Sequence, residues 1–180
     1  LEAKFKLGLF ENRFVDEDDI SEKIFNQHHT ETALKLARQG IVLLKNNDVL
    51  PLTSPKYSKN RILVTGPNAN NQSILGDWHS AQPHENVYTV FEGIKKIGNE
   101  MGYVVDYHDS NENIKRISEK DITKTIEIAN EYDLVVLVVG DNSMRYKWNQ
   151  KTAGENTARA ELNLAGKQLE LAMRLKESGK

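Results

Sequence analysis

The feature that most constrains this chain is LVVLVVG, residues 134–140, six consecutive apolar residues closed by a glycine. A strand with one wet face alternates apolar and polar side chains. A run without alternation predicts a strand covered on both faces, as in a parallel sheet. From Asp141 the chain continues as DNSMRYKWNQKTAGENTARAELNL, more than twenty residues before apolar periodicity returns. A connection of about 2–6 residues would join strand to helix. Long loops at the carboxyl ends of strands are where open α/β sheets hold their ligands.

Upstream, RILVTG (61–66) reads as a buried strand and YVVDYH (103–108) as a second. YTVFEGIKKIGNEMG (88–102) reads as a helix with Val90, Phe91, Ile94 and Ile97 on one face and Gly102 at its C-cap. DITKTIEIANEYD (121–133) reads as a helix with Asp121 as N-cap and Ile122, Ile126 and Ala129 inward. LAGKQLELAMRLKESG, from Leu164, reads as a final helix. Alternating strands and helices predict a layered α/β sandwich with a mostly parallel sheet and right-handed crossovers. Three strands make a narrow sheet, and the last helix would ordinarily lead into a fourth. Before this, TETALKLARQGIVLLKN (30–46) has helical spacing interrupted or ended near Gly40, and DVLPLTSPKYSKN (48–60) reads as a linker or irregular loop. The chain starts at Leu rather than Met and stops abruptly, so both ends are expected to be cuts in a longer sequence.

With 180 residues, 38% hydrophobic and 28% charged, the chain has the composition of a soluble globular protein. A net charge of −2 gives no electrostatic footprint for nucleic acid or an anionic membrane surface, and no stretch approaches the ~18 apolar residues of a membrane span. Without cysteine there is no thiolate nucleophile, disulfide framework or cysteine zinc site.

Several patterns invite chemistry and fail on spacing. VTGPNANNQSILGDW places a glycine after a strand, but Gly66 and Gly76 are ten apart and Pro67 removes an amide donor, against a nucleotide loop. His28 and His29 are adjacent, and His79 and His84 share a loop; neither pair has the i, i+4 spacing of a helical metal site. DEDD at 16–19 reads as a solvated surface run. No metal and no cofactor are implied. Glu155 differs in context, lying between Trp148 and the final helix in the long loop. A carboxyl beside aromatics can be tuned to act as a general acid. Trp78 and Trp148, the two tryptophans, fall in loops after strands, where an indole face suits the CH face of a sugar ring, or plugs the top of a domain. Arg145 lies in the same loop as Trp148.

In order along the chain, KLGLFEN, ALKLARQGIVLLKNNDVLPL, RILVTGPNAN with GDW, LVVLVVGDN and AGENTARAELNLAGKQLEL resemble glycoside hydrolase family 3, the β-glucosidase and β-xylosidase family. The resemblance implies three parts: residues 1–29 as the tail of a (β/α)8-type catalytic barrel, 30–59 as linker helix and loop, and 60–180 as an incomplete α/β sandwich. It implies a retaining, exo-acting β-glycosidase that hydrolyses terminal non-reducing β-D-glucosyl residues of β-glucosides or gluco-oligosaccharides. The nucleophile, an aspartate on the barrel, lies outside this sequence. Glu155 is then the catalytic acid/base, with Trp78, Trp148 and Arg145 as substrate-binding residues and the barrel as partner. Asp141 stands where Gly-Glu is common in the family. The resemblance suggests a periplasmic or secreted enzyme and implies that the isolated chain is inactive. The rival expectation is a non-catalytic α/β module that binds sugar or a protein; a flavodoxin-like nucleotide or flavin module is disfavoured by the glycine spacing.

Overall fold

A computed structural model describes residues 1–52 and 60–180, in two compact units, Leu1–Pro51 and Leu52–Lys180. Of the loop expected over 48–60, residues 53–59 lie outside the described residues.

The first unit holds α1 (Glu2–Lys6), α2 (Ile20–Lys23) and α3 (Gln27–Gly40). Asp16 of the acidic run caps a 3-10 turn, its carboxylate accepting from the Asp18 amide at 3.1 Å. α3 starts earlier than the pattern from Thr30 predicts, because Asn26 is its N-cap, accepting from the His29 amide at 3.0 Å. It ends at Gly40, and the β-branched Ile41 that follows is in extended backbone. None of the described residues of this unit is buried, and Leu36, Ile41, Val42 and Leu44 are exposed.

The second unit is an α/β sandwich on a three-stranded, all-parallel sheet. Its elements are β1 (Arg61–Thr65), α4 (Val90–Glu100), β2 (Val104–His108), α5 (Glu119–Ala129), β3 (Leu134–Leu137) and α6 (Gln168–Glu177). The spatial order is β2-β1-β3, with Ile62 opposite both Val105 and Leu134 and Thr65 opposite both His108 and Leu137. β1 is central, so its side chains feed two apolar clusters. Ile62 and Val64 pack with Tyr103, Val105, Phe91 and Ile94 under α4. Leu63 packs with Ile122, Ala129, Leu171 and Leu175 under α5 and α6.

The helices begin where local chemistry allows. Thr89 and Glu92 form a reciprocal capping box at α4, and Gly102, at φ +85°, follows the helix end. α5 takes Ser118 rather than Asp121 as its N-cap. The Ser118 hydroxyl accepts from the Asp121 amide while the Asp121 carboxylate accepts from the Ser118 amide, so Asp121 closes the box three residues inside. α6 begins only at Gln168, later than its periodicity predicts. The buried Gln168 carboxamide accepts from the Gly140 amide at 2.9 Å, tying the helix start to the end of the β3 segment.

LVVLVV forms a shorter strand than its composition suggests, and its residues are half-buried rather than buried. Both faces do meet apolar clusters: Val135 and Leu137 pack on one side, Leu134, Val136 and Val138 on the other. Cover is incomplete because β3 is an edge strand of this sheet.

At the carboxyl ends β1 and the β3 segment approach closely. The Val138 amide donates to the Thr65 carbonyl at 2.8 Å. Gly66, at φ +108°, lies so near that a β-carbon would overlap the Val138 backbone. Gly66→Ala is therefore expected to cost about 2–5 kcal/mol, from strain at positive φ plus the clash. Gly93→Ala is the counterpart, since Gly93 sits within α4 with no atom in the way. It should stabilise by about 0.5–1 kcal/mol. Urea denaturation of both variants checks the pair, and similar effects at the two glycines would contradict this account.

Candidate active site

All three strands point the same way, so their following loops leave from one edge of the sheet. The loop after β1 brings Asp77 and Trp78, and the loop after β3 brings Arg145, Trp148, Lys151 and Glu155. The loop after β2 braces the latter: Glu112 pairs with Lys147, and the Lys115 ammonium donates to the Asn149 carbonyl at 3.1 Å.

The β3 loop is folded on itself. Thr152 donates its amide to the Asn142 carbonyl at 2.7 Å, and its hydroxyl accepts from the Asn142 amide at 2.8 Å, closing residues 142–152 into a lobe. Met144 is buried within it, and a 3-10 segment over Arg145–Gln150 presents Arg145 and Trp148.

The four residues singled out from sequence come together around Arg145. Its guanidinium donates to Glu155 Oε2 at 2.6 Å. It also stacks 3.8 Å above the Trp78 ring and lies 5.7 Å from that of Trp148. A guanidinium on an indole face is held electrostatically by the ring quadrupole. Trp78 remains 73% exposed and Trp148 49%, so both rings keep surface available to a ligand. Glu155 meets Arg145 through Oε2, while Oε1 has no hydrogen-bond partner among the described residues.

Two members of the cluster are illegible as such in the sequence. Asp77, inside GDW, accepts from the Glu155 amide at 2.8 Å through Oδ2 and from the Trp78 amide at 2.8 Å through Oδ1. Lys151 reads as an ordinary loop lysine, yet it is 2% exposed. Its ammonium donates to the Glu155 carbonyl at 3.0 Å, lies 3.5 Å from Asp77 Oδ2 and sits 4.4 Å from the Trp148 ring centre. The amides of Glu155 and Trp78, then the charges of Lys151 and Arg145, hold the Asp77 carboxyl below its ordinary range against the opposing effect of desolvation.

Asp141 stands apart from this contact set. Its carboxylate is engaged by Arg159, at 2.6 Å to Oδ1. Of the histidines, His79 has Nδ1 2.6 Å from the Gly76 carbonyl and its ring edge-on to Tyr146, and His84 has Nε2 2.8 Å from Glu92.

The family model described as glycosyl hydrolase family 3 C-terminal domain matches residues 41–180. The chain belongs to glycoside hydrolase family 3. Within that family it is 34% identical, over its whole length, to a β-xylosidase of Formosa agariphila, covering 24% of that protein. It is 27% identical, again over its whole length, to a periplasmic β-glucosidase of Salmonella typhimurium, covering 25% of it. Among solved structures, a β-glucosidase from Listeria innocua in complex with gluconolactone superposes with a TM-score of 0.77 at 25% identity, over 98% of this chain and 22% of that one. The chain thus spans about a quarter of the length of these family 3 relatives.

Depression of the Asp77 carboxyl gives a pH prediction. A carboxyl whose folded value lies below its unfolded one adds stability above the unfolded value, near 4, and loses it as pH falls through the folded value. Trp78 and Trp148 both lie in this cluster and are the chain's two tryptophans, so their emission reports on it. Emission should hold constant from pH 7 to about 4 and change below. A fluorescence titration with a local transition centred above about pH 5 would contradict this arrangement.

Proposed function

We propose that this chain supplies the acid/base half of a retaining, exo-acting β-glycosidase site that acts on terminal non-reducing β-D-glucosyl residues. The other half is a barrel domain that supplies the nucleophilic aspartate, with residues 1–29 as the tail of that barrel and 30–59 as the connection. The observation that carries the reading is Glu155 itself: a carboxyl fixed through its backbone at the carboxyl edge of the sheet, beside two exposed indoles, with one oxygen unpartnered among the described residues. The exposed apolar side chains of the first unit, Leu36, Ile41, Val42 and Leu44 among them, fit a segment that packs against further protein. The Glu155 side chain is itself 39% exposed, so a second wall is needed to keep bulk water from the reacting bond.

In the first step the barrel carboxylate attacks C1 of the sugar as the bond from C1 to the leaving oxygen breaks. Protonated Glu155 gives its proton to that oxygen, with Arg145 withdrawing from the carboxyl so that the proton can move. In the second step water attacks C1, the bond to the nucleophile breaks, and Glu155 takes up the proton that the water loses. Retention requires the two carboxyls ~5–5.5 Å apart. Trp78 and Trp148 offer indole faces to sugar rings, and Arg145 can donate to their hydroxyls. The β-xylosidase relative favours a second substrate reading, β-D-xylosyl residues, on the same chemistry.

The test is Glu155→Gln in the full-length protein, with aryl β-glucosides and β-xylosides. Hydrolysis of substrates with poor leaving groups should fall about 10²–10⁴-fold. A dinitrophenyl glycoside should keep a fast first step, and azide should restore its turnover by attacking the glycosyl-enzyme. Equal loss on good and poor leaving groups, without azide rescue, rejects the assignment. Residues 1–180 alone should not turn over an aryl β-glucoside above buffer, because catalysis needs both carboxyls positioned together.

A further inference from the structure

Glu155 is held by its main chain, and by charged groups. Its amide donates to Asp77 Oδ2 at 2.8 Å and its carbonyl accepts from the Lys151 ammonium at 3.0 Å. Asp77 comes from the loop after β1 and Lys151 from the loop after β3, and their charged ends lie 3.5 Å apart. The two polar groups of one peptide position are thus gripped by an ion pair that joins two loops. Most loop residues direct these groups to water or to neighbouring backbone.

The Lys151 side chain is 1% exposed. Removing an ammonium from water is costly unless charge and hydrogen bonds replace the lost hydration. Here the replacements are the Asp77 carboxylate, the Glu155 carbonyl and the Trp148 ring face. A lysine so enclosed cannot reach a ligand, so its action must pass through the residues it touches. Asp77 reaches further still: its second oxygen accepts from the amide of Trp78, whose φ of +62° is unusual for a bulky residue. One carboxylate therefore fixes both the candidate proton donor and the candidate sugar platform. Gly154, at φ +90°, completes the fit, because a β-carbon there would occupy the place of the Asp77 carboxylate.

We infer that Asp77 and Lys151 are positioning residues that set how far the Glu155 carboxyl reaches toward the leaving oxygen. This rests on Glu155 being the acid/base. A misplacement of about 1 Å at a reacting group can cost about 10²-fold in rate. The cost falls only on steps that need the displaced group. Loss of the ion pair should therefore slow proton-dependent steps and spare a first step that needs no proton.

The decisive experiment compares Lys151→Met, Asp77→Asn and Glu155→Gln in the full-length protein. Each variant is assayed on a β-linked disaccharide and on the matching 2,4-dinitrophenyl glycoside, with and without azide. Hydrogen exchange is followed over residues 152–158. Lys151→Met, which keeps the bulk and loses the charge, should lower kcat on the disaccharide about 30–100-fold. It should change kcat/KM on the activated glycoside less than about threefold and raise exchange at the Glu155 amide. Asp77→Asn keeps one acceptor oxygen and should show the same selectivity on a smaller scale. That gentler variant also decides the matter if Lys151→Met does not fold. Uniform loss on both substrates, or no loss on either, overturns the positioning role while Glu155→Gln still shows leaving-group selectivity. If Glu155→Gln itself lacks that selectivity, the acid/base reading fails and the positioning role falls with it.

Discussion

The parallel pairing of β1 on both of its sides is the constraint on which the rest of the second unit depends. A parallel neighbour cannot be reached by a tight turn, so each connection must cross the sheet, and helices come to cover both faces. α4 takes one face, and α5 and α6 the other. The same pairing sends every strand's carboxyl end to one edge, where loops distant in sequence become neighbours. Asp77 and Glu155 are 78 residues apart in the chain, yet the Glu155 amide donates to the Asp77 carboxylate. That contact is a consequence of topology before it is one of side-chain chemistry.

At that edge the charges compensate locally. Asp77 and Glu155 face Arg145 and Lys151, two anions against two cations, and the indoles of Trp78 and Trp148 take up the cations' remaining faces. Burial of Lys151 is tolerable only because this set is complete. Removal of one partner leaves the others desolvated without their counter-charge, which is why such groups tend to act as a unit. The Asp141–Arg159 pair is separate and fastens the later part of the loop, with the Arg159 guanidinium also reaching the Asn163 carbonyl.

The layered architecture was legible because periodicity and punctuation agree in RILVTG, in the Thr89-led helix and in LVVLVVG. Composition misled where position in the sheet decides. LVVLVV has the apolarity of a covered strand, but an edge place leaves it half-buried. Asp121 has the residue type of a cap, and Ser118 takes that role because a reciprocal box satisfies two amides where a lone cap satisfies one. Trp78, Trp148, Arg145 and Glu155 could be singled out because aromatic and charged residues in a long loop are conspicuous. Lys151 was not: a lysine among polar neighbours signals solvent exposure, and only the convergence of two loops encloses it. Asp77 was hidden similarly, since its partners are main-chain atoms that carry no residue signature.

Because Glu155 is anchored at its own amide and carbonyl, the segment after it has little part in holding it. Residues 156–163 are exposed apart from the half-buried Thr157, and the chain is fastened again at Arg159 and at the buried Gln168. A lineage built on this plan could lengthen, shorten or recompose that stretch while the anchored residue kept its place. Such separation of a fixed point from a free rim is the condition under which descent can vary what a surface meets without rebuilding what it does.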